Sequence, residues 1–374
     1  MKKIFKHRLL WPVVALLALI AINTIARPSF LAVTVRDGQL YGALIDILRN
    51  SAPLMLVALG MTIVIATRGI DLSVGAIMAV SGAVALTIID ASPTPNNLSV
   101  VAVAVIVAIL VSLVLGAWNG FLVSVLGIQP IIATLVLMLA GRGIALLITD
   151  GFITTVNSDP YRFMAQGYIL GFPFAFYVSL AAIALITLVE RRTALGVLTE
   201  AVGINPKASR LSGVRSRGII WGAYIASGAL SGMAGILYSS NIMAADANAA
   251  GLFIELDAIL AVVIGGTLLT GGKFSLAGTV IGVFTIQTLK STITFLGVPP
   301  AVSPVFLATA VIIVVLLQSE RVHRAGRRVG WLLRPRGSTP GSADARGGTV
   351  APTGNGTTPA DDGAERDETE VVSR

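Results

Sequence analysis

Apolar stretches long enough to cross a hydrocarbon layer, which takes roughly 17–25 residues of helix, recur along almost the whole chain. They fall at 9–26, 51–67, 72–90, 98–126, 130–149, 168–189, 218–238, 254–270, 274–296 and 302–318, with glycines interrupting the second, third and eighth. A soluble core cannot hide that many apolar side chains. The 374 residues are 55% hydrophobic and 12% charged, against roughly 25% charged in an ordinary soluble domain. The pattern predicts an all-α, polytopic transmembrane helical bundle of about ten spans. Residues 40–50, with Asp46 and Arg49 among apolar neighbours, read as an interfacial amphipathic helix rather than a span.

Basic residues beside the apolar runs set the expected orientation. With the N-terminus inside, the cytoplasmic side collects Lys2, Lys3, Lys6, Arg8, Arg68, Arg191, Arg192, Lys207, Arg210, Arg215, Arg217, Lys273 and the arginines at 321–328, while Arg27, Arg36 and Arg162 face out. This positive-inside bias places both termini in the cytoplasm and accounts for the net charge of +8 without nucleic acid. The expected organisation is a basic N-terminus at 1–8, a transmembrane domain at 9–318 with a cytoplasmic loop at 190–217, and a cytoplasmic tail at 319–374. Beyond about residue 337 the tail is rich in Gly, Ser, Thr, Pro and Asp, a composition that cannot offset its ordering entropy and predicts disorder.

Several chemistries are excluded. Without cysteine there is no disulfide, thiol nucleophile or Cys-ligated metal. The two histidines, His7 and His323, lie in basic stretches outside the spans, so neither an intramembrane serine hydrolase nor a zinc peptidase has its base or ligands. The run GGTLLTGGKF at 265–274 resembles a phosphate-binding loop only faintly. Thr267 stands where the first glycine belongs, and Phe274 follows Lys273 in place of Ser or Thr. No metal, no cofactor and no catalytic residue is expected.

The informative polar residues border or interrupt the spans, where charge is costly and faces a partner or a wet path. TRGIDLSVG (67–75) has glycines that permit a broken backbone, and its Asp71 and Ser73 suit a cap on the next helix. AGRG (140–143) puts Arg142 inside the fifth span, and IELDAI (254–259) opens the eighth with Glu255 and Asp257. Carboxylates at a helix N-terminus are electrostatically favoured, and Arg142 and Asp71 suit a structural ion pair as well as a transport role. Trp118, Asn119 and Gln129 are candidates to line a polar path, with tryptophan packing and helix capping as the plainer alternatives. Small residues in SGALSGMAG (Gly228, Gly232, Gly235) and LAGTVIG (Gly278, Gly282) have the spacing of close helix packing in lipid.

The most specific feature is the hydrophilic loop at 190–217. Within it GINPKASRLSGV (203–214) predicts a short helix over 206–212, with Asn205 as N-cap, Pro206 at the first helical position and Gly213 at a left-handed stop. A short basic helix there suits docking into a groove on a soluble partner, with Leu211 as the apolar anchor.

The chain resembles the ribose/xylose/galactose-type permeases of bacterial sugar ABC importers over roughly residues 10–318. The resemblance is carried by GMTIVIATRGIDLSVGAIMAVSGAV (60–84), AVGINPKASRLSGV (201–214) and ELDAILAVVIGGTLLTGGKF (255–274). Residues 37–54, 128–149 and 245–266 are most similar to a permease of the galactofuranose importer type. The resemblance implies import of a monosaccharide, galactofuranose or a related pentose or hexose, across the bacterial inner membrane. It also implies a core of two permeases, identical or different, with cytoplasmic ABC ATPase subunits that bind the ATP and an external sugar-binding protein. It makes 201–214 the segment that engages the ATPase and so singles out Glu200, Gly203, Asn205, Pro206, Arg210, Leu211 and Gly213. One departure is visible: the family often has two glycines where Arg68 and Gly69 stand. The competing class is an ion-coupled secondary transporter of a small polar solute, which also combines many spans, broken helices and a few membrane charges.

Overall fold

The computed structural model describes residues 9–297 and the single positions 305, 308, 309 and 312. Apart from those positions, the basic N-terminus (1–8), the tenth expected span (302–318) and the tail lie outside the described residues, as do both chain ends. The chain divides into two compact units, Met1–His323 and Arg324–Arg374, and the described residues all belong to the first.

That unit is helical. Its helices in chain order are α1 (Leu10–Ala26), α2 (Ala43–Ala66), α3 (Val74–Asp90), α4 (Leu98–Ser124), α5 (Pro130–Ile148), α6 (Asp159–Gln166), α7 (Phe174–Arg192), α8 (Leu195–Ile204), α9 (Pro206–Leu211), α10 (Ser216–Ile242), α11 (Ile254–Ile264) and α12 (Leu276–Phe295). Three short antiparallel strand pairs join the loops: β1 (Thr34–Arg36) with β2 (Gln39–Tyr41), β3 (Thr154–Thr155) with β6 (Ala244–Ala245), and β4 (Tyr168–Ile169) with β5 (Phe172–Pro173). Six helices, α2, α4, α5, α7, α10 and α12, are long and apolar enough to cross a membrane, and α1 and α3 are apolar helices of 17 residues each. Among the described residues the count of full-length spans is thus lower than the apolar runs predict.

Two differences from the sequence reading carry physical meaning. Residues 43–50 do not form a separate interfacial helix; they are the first turns of α2, which runs unbroken for 24 residues through Pro53. The charges that suggest an interface neutralise each other on one helical face, Arg49 Nη2 donating to Asp46 Oδ1 at 2.9 Å. The eighth expected span is cut short at Ile264, because Gly265 ends α11 and residues 265–275 turn back into α12.

α2 and α10 form the centre. α10 packs against α2, α3 and α4, while α2 also meets α7, α11 and α12. Most of α2 is buried, whereas only a minority of residues in α4, α5 and α7 are, which leaves apolar faces open to lipid. The expected close approaches are present at the glycines. An added Cβ at Gly228 would meet Gly116 Cα at 2.8 Å, one at Gly235 would strike the Met78 carbonyl, and one at Gly282 the Ala261 carbonyl. The short α6 is fixed to α10 through the fully buried Tyr161, whose hydroxyl lies 2.6 Å from Ser239 Oγ. Burial pushes that phenol up from its ordinary value, so it stays a neutral hydrogen-bonding group.

Candidate functional site

The contacts along α10 give the depth of everything packed on it. α2 and α4 run antiparallel to it, Gly60 meeting Ser227 and Gly116 meeting Gly228, while α3 runs parallel, Gly82 meeting Ser239. α3 therefore does not start where α2 ends. Residues 67–73 climb from the end of α2 back into the bundle, and α3 begins near Ser227, close to the middle of the 27-residue α10. From the opposite end, residues 243–253 descend from α10, so that Gly251 touches Gly75 and α11 begins beside the first turn of α3. Two helix N-termini thus meet inside the bundle. Their carboxylates follow from that geometry: Asp71 precedes α3, and Glu255 and Asp257 occupy the first turn of α11, where the positive end of each helix favours negative charge.

Asp71 is fully buried. Its Oδ1 accepts from the Ser73 amide at 3.1 Å and the Ser73 hydroxyl at 2.6 Å, and its Oδ2 accepts from Ser227 Oγ at 2.8 Å. Asn119 of α4 donates its Nδ2 to Ser73 Oγ at 2.7 Å. Ser73 holds the N-cap position of α3, yet its hydroxyl does not cap the helix; it bonds to Asp71 instead. One carboxylate thereby joins the 67–73 loop, α10 and α4. Asn119 Oδ1 and the Tyr224 hydroxyl, both buried, have no hydrogen-bond partner among the described residues. Asp71→Ala strands the Ser73 amide and the Ser227 hydroxyl, each at about 1–3 kcal/mol. It is expected to lower the melting temperature of the detergent-solubilised chain clearly, with Asp71→Asn milder because it retains an acceptor; unchanged melting of the alanine variant would contradict the account.

Arg142 does not pair with Asp71. Its Nη1 donates to the carbonyls of Ala247 (2.7 Å) and Ala250, tying α5 to the descending loop, with Glu255 and Asp246 in electrostatic range. Glu255 Oε2 lies where a side chain at Gly75 would fall, 2.8 Å from its Cβ. Asp257 is held by Lys290 of α12 in an ion pair. Of the residues expected to line a path, Asp71, Ser73 and Asn119 form one cluster and Arg142 and Glu255 a second. Gln129 is exposed at the start of α5 without a capping bond, and Trp118 points outward beside Phe121. Ser227 and Tyr224 belong to the Asp71 cluster without any sequence signal, since each reads as one more small or aromatic residue of an apolar helix.

At the C-terminal end of α2, the 190–217 loop forms α8 and α9. Asn205 caps α9 by accepting from the Lys207 and Ala208 amides, both at 3.1 Å, Pro206 takes the first helical position, and Gly213 is left-handed at φ +84°. The helix ends at Leu211, one residue earlier than expected. Leu211 is 92% exposed, and Arg210 also faces solvent. Glu200 instead turns inward, lining with Glu190 a cavity of about 450 Å³ between α7, α8 and the start of α12. Gly203 is buried where α8 crosses the end of α2; a Cβ there would strike the Ala66 carbonyl, which accepts from the Gly272 amide at 2.9 Å. Arg68 has φ +68°, a left-handed backbone that explains why glycine suits the position, and its guanidinium donates to the Ile204 carbonyl at the C-terminus of α8. The exposed helix is thus bolted to the loop that carries Asp71 and to the turn that follows α11.

Residues 43–316 match the family described as branched-chain amino acid transport system / permease component. The chain is 44% identical to the galactofuranose transporter permease protein YtfT of Escherichia coli, over 84% of this chain and 92% of that protein. It is 42% identical to the fructose import permease protein FruF of Bifidobacterium longum (86% and 90% covered) and 36% identical to the ribose import permease protein RbsC of Bacillus subtilis (83% and 93% covered). No solved structure matches the chain.

Proposed function

The chain belongs to the family of branched-chain amino acid transport system / permease components, and from that premise we propose that it is the membrane-spanning permease subunit of an ATP-driven importer of a monosaccharide. The choice of a sugar rests on near full-length similarity to permeases named for galactofuranose, fructose and ribose. The observation that carries the mechanism is the fixed connection from the exposed α9 through Arg68, Gly203 and Gly272 to the loop bearing Asp71. In this reading α9 faces the cytoplasm and docks a separate ABC ATPase, through Asn205, Pro206, Arg210, Leu211 and Gly213. An external binding protein delivers the sugar to the other end. A second permease, identical or different, completes the pathway, and both termini are cytoplasmic.

The helices α3 and α11, which begin inside the bundle, are the elements assigned to respond to ATPase movement. The loop leading into α3 and the turn following α11 are the two segments that α8 holds, and both helices begin where the N-termini meet. Asp71, Ser73, Asn119, Arg142, Glu255 and Asp257 then hold those N-termini in place along the route. Nothing in this chain supplies a phosphate-binding loop, so hydrolysis belongs to the partner.

The test is reconstitution in liposomes with the cognate ATPase and binding protein. The complex is expected to import a labelled sugar only with ATP inside and binding protein outside, and the purified chain alone to hydrolyse no ATP. Uptake driven by a sodium or proton gradient without ATPase would return the chain to the secondary transporters.

A further inference from the structure

A second cavity, of about 160 Å³, lies where the start of α2 and the end of α10 meet α6 and α7, at the outward end of the bundle in the reading above. Its polar side chains are Arg49, Asn50, Tyr238 and Asn241, and Pro53 and Leu237 supply apolar wall. Arg49 Nη2 is engaged by Asp46, but its Nε is buried without a hydrogen-bond partner. The Asn241 carbonyl accepts from Gln166 Nε2, while the side-chain amides of Asn50 and Asn241 and the Tyr238 hydroxyl make no hydrogen bond among the described residues. A small cavity therefore combines unspent donors and acceptors on several sides with an apolar surface.

We propose that this cavity is an outward subsite for the transported sugar, in which Arg49, Asn50, Tyr238 and Asn241 hydrogen-bond its hydroxyls. The proposal rests on the importer reading and deepens it. Charge selects the ligand class. The Arg49 charge is already balanced by Asp46, so the cavity presents hydrogen bonds without net charge and suits a neutral polyhydroxylated molecule better than an anion. Both faces of such a ligand are served, since hydroxyls meet the amides and the guanidinium while its C–H face lies on Pro53 and Leu237. Tyr238 also packs against the cluster containing Ala247 and Ala250, the two residues whose carbonyls Arg142 holds. A sugar leaving the cavity past Tyr238 would next meet the descending loop and the N-termini of α3 and α11.

The experiment uses the complete importer in liposomes, with radiolabelled D-ribose, D-fructose and D-galactose as probes. The double variant Tyr238→Phe, Asn241→Ala is compared with wild type for sugar imported per ATP hydrolysed. Loss of two hydrogen-bonding groups is expected to lower that ratio at least about tenfold, while binding-protein-stimulated hydrolysis stays within about twofold, because the ATPase contacts are untouched. Tyr238→Phe alone, which removes one hydroxyl and no packing, gives the same change at smaller amplitude and keeps the test open should the double variant fold poorly. An unchanged ratio in these variants overturns the subsite, as does a proportionate fall of uptake and hydrolysis together, which marks a structural role. Uptake of any of these sugars on a sodium or proton gradient without ATPase overturns the importer reading instead, so the two failures are distinguishable.

Discussion

Leu211→Asp is expected to insert and fold like the wild type and to abolish ATP-driven transport. The expectation of normal folding comes from the structure: with 92% of Leu211 exposed, the chain alone gains almost nothing from the side chain. α9 is held instead by the Asn205 cap, the left-handed Gly213 and the Ser216 hydroxyl on the Pro206 carbonyl (3.2 Å). An exposed leucine at the tip of a capped, rigidly mounted helix suits insertion into a partner's groove. Burying one leucine there contributes roughly 1.5–3 kcal/mol, equivalent to about a ten- to hundredfold change in association. An aspartate loses that contribution and adds the cost of desolvating a charge. In liposomes with the ATPase and binding protein, the variant should show neither stimulated hydrolysis nor uptake, while Leu211→Met should retain most of both. Wild-type rates in the aspartate variant would mean that this face of α9 does not carry the coupling.

The two ends of the molecule differ in how far they can be read from sequence. α9 is legible almost residue by residue, because its cap, its proline and its terminating glycine act locally, and local chemistry survives in a linear reading. The crossings at Gly228, Gly235 and Gly282 are legible as a class, since small residues at helical spacing have few other uses in lipid. The re-entry of residues 67–73 and 243–253 is not. A helix that begins inside the bundle has the same periodicity and composition as one that begins at its surface, and only contacts such as Gly75 with Gly251 reveal where α3 and α11 start. Arg142 shows the same limit from another side. Its charge demands a partner inside the bundle, but the partners are two backbone carbonyls, which no sequence pattern announces. The departure at Arg68 acquires its reason only when the backbone angle and the bond to Ile204 are taken together.

Gly228→Val is expected to be strongly destabilising and to disrupt the site as well as the bundle. At this point α4 and α10 touch through backbone. A Cβ on Gly228 would come 2.6 Å from the Ser112 carbonyl and 2.8 Å from Gly116 Cα, and Gly116 is equally tight against the Tyr224 carbonyl at 2.6 Å. Overpacking costs typically about 1–3 kcal/mol when side chains can yield; here nothing flexible stands in the way, so the helices have to separate. A loss of about 3 kcal/mol lowers the melting temperature by roughly 4–5 °C in a chain of this length, and failure to accumulate in the membrane is the stronger form of the same result. The control lies on the same helix. Gly218 and Gly222 have open space at the Cβ position, so Gly222→Val should melt within about a degree of wild type, any change reflecting helix propensity of about 0.5 kcal/mol. Equal melting of the two variants would refute the backbone crossing. The consequence reaches function, because Ser227, the neighbour of Gly228, donates to Asp71, and Asn119, three residues beyond Gly116, donates to Ser73. Any Gly228→Val protein that does fold must pull those donors apart, so it should transport poorly even at temperatures where it remains intact.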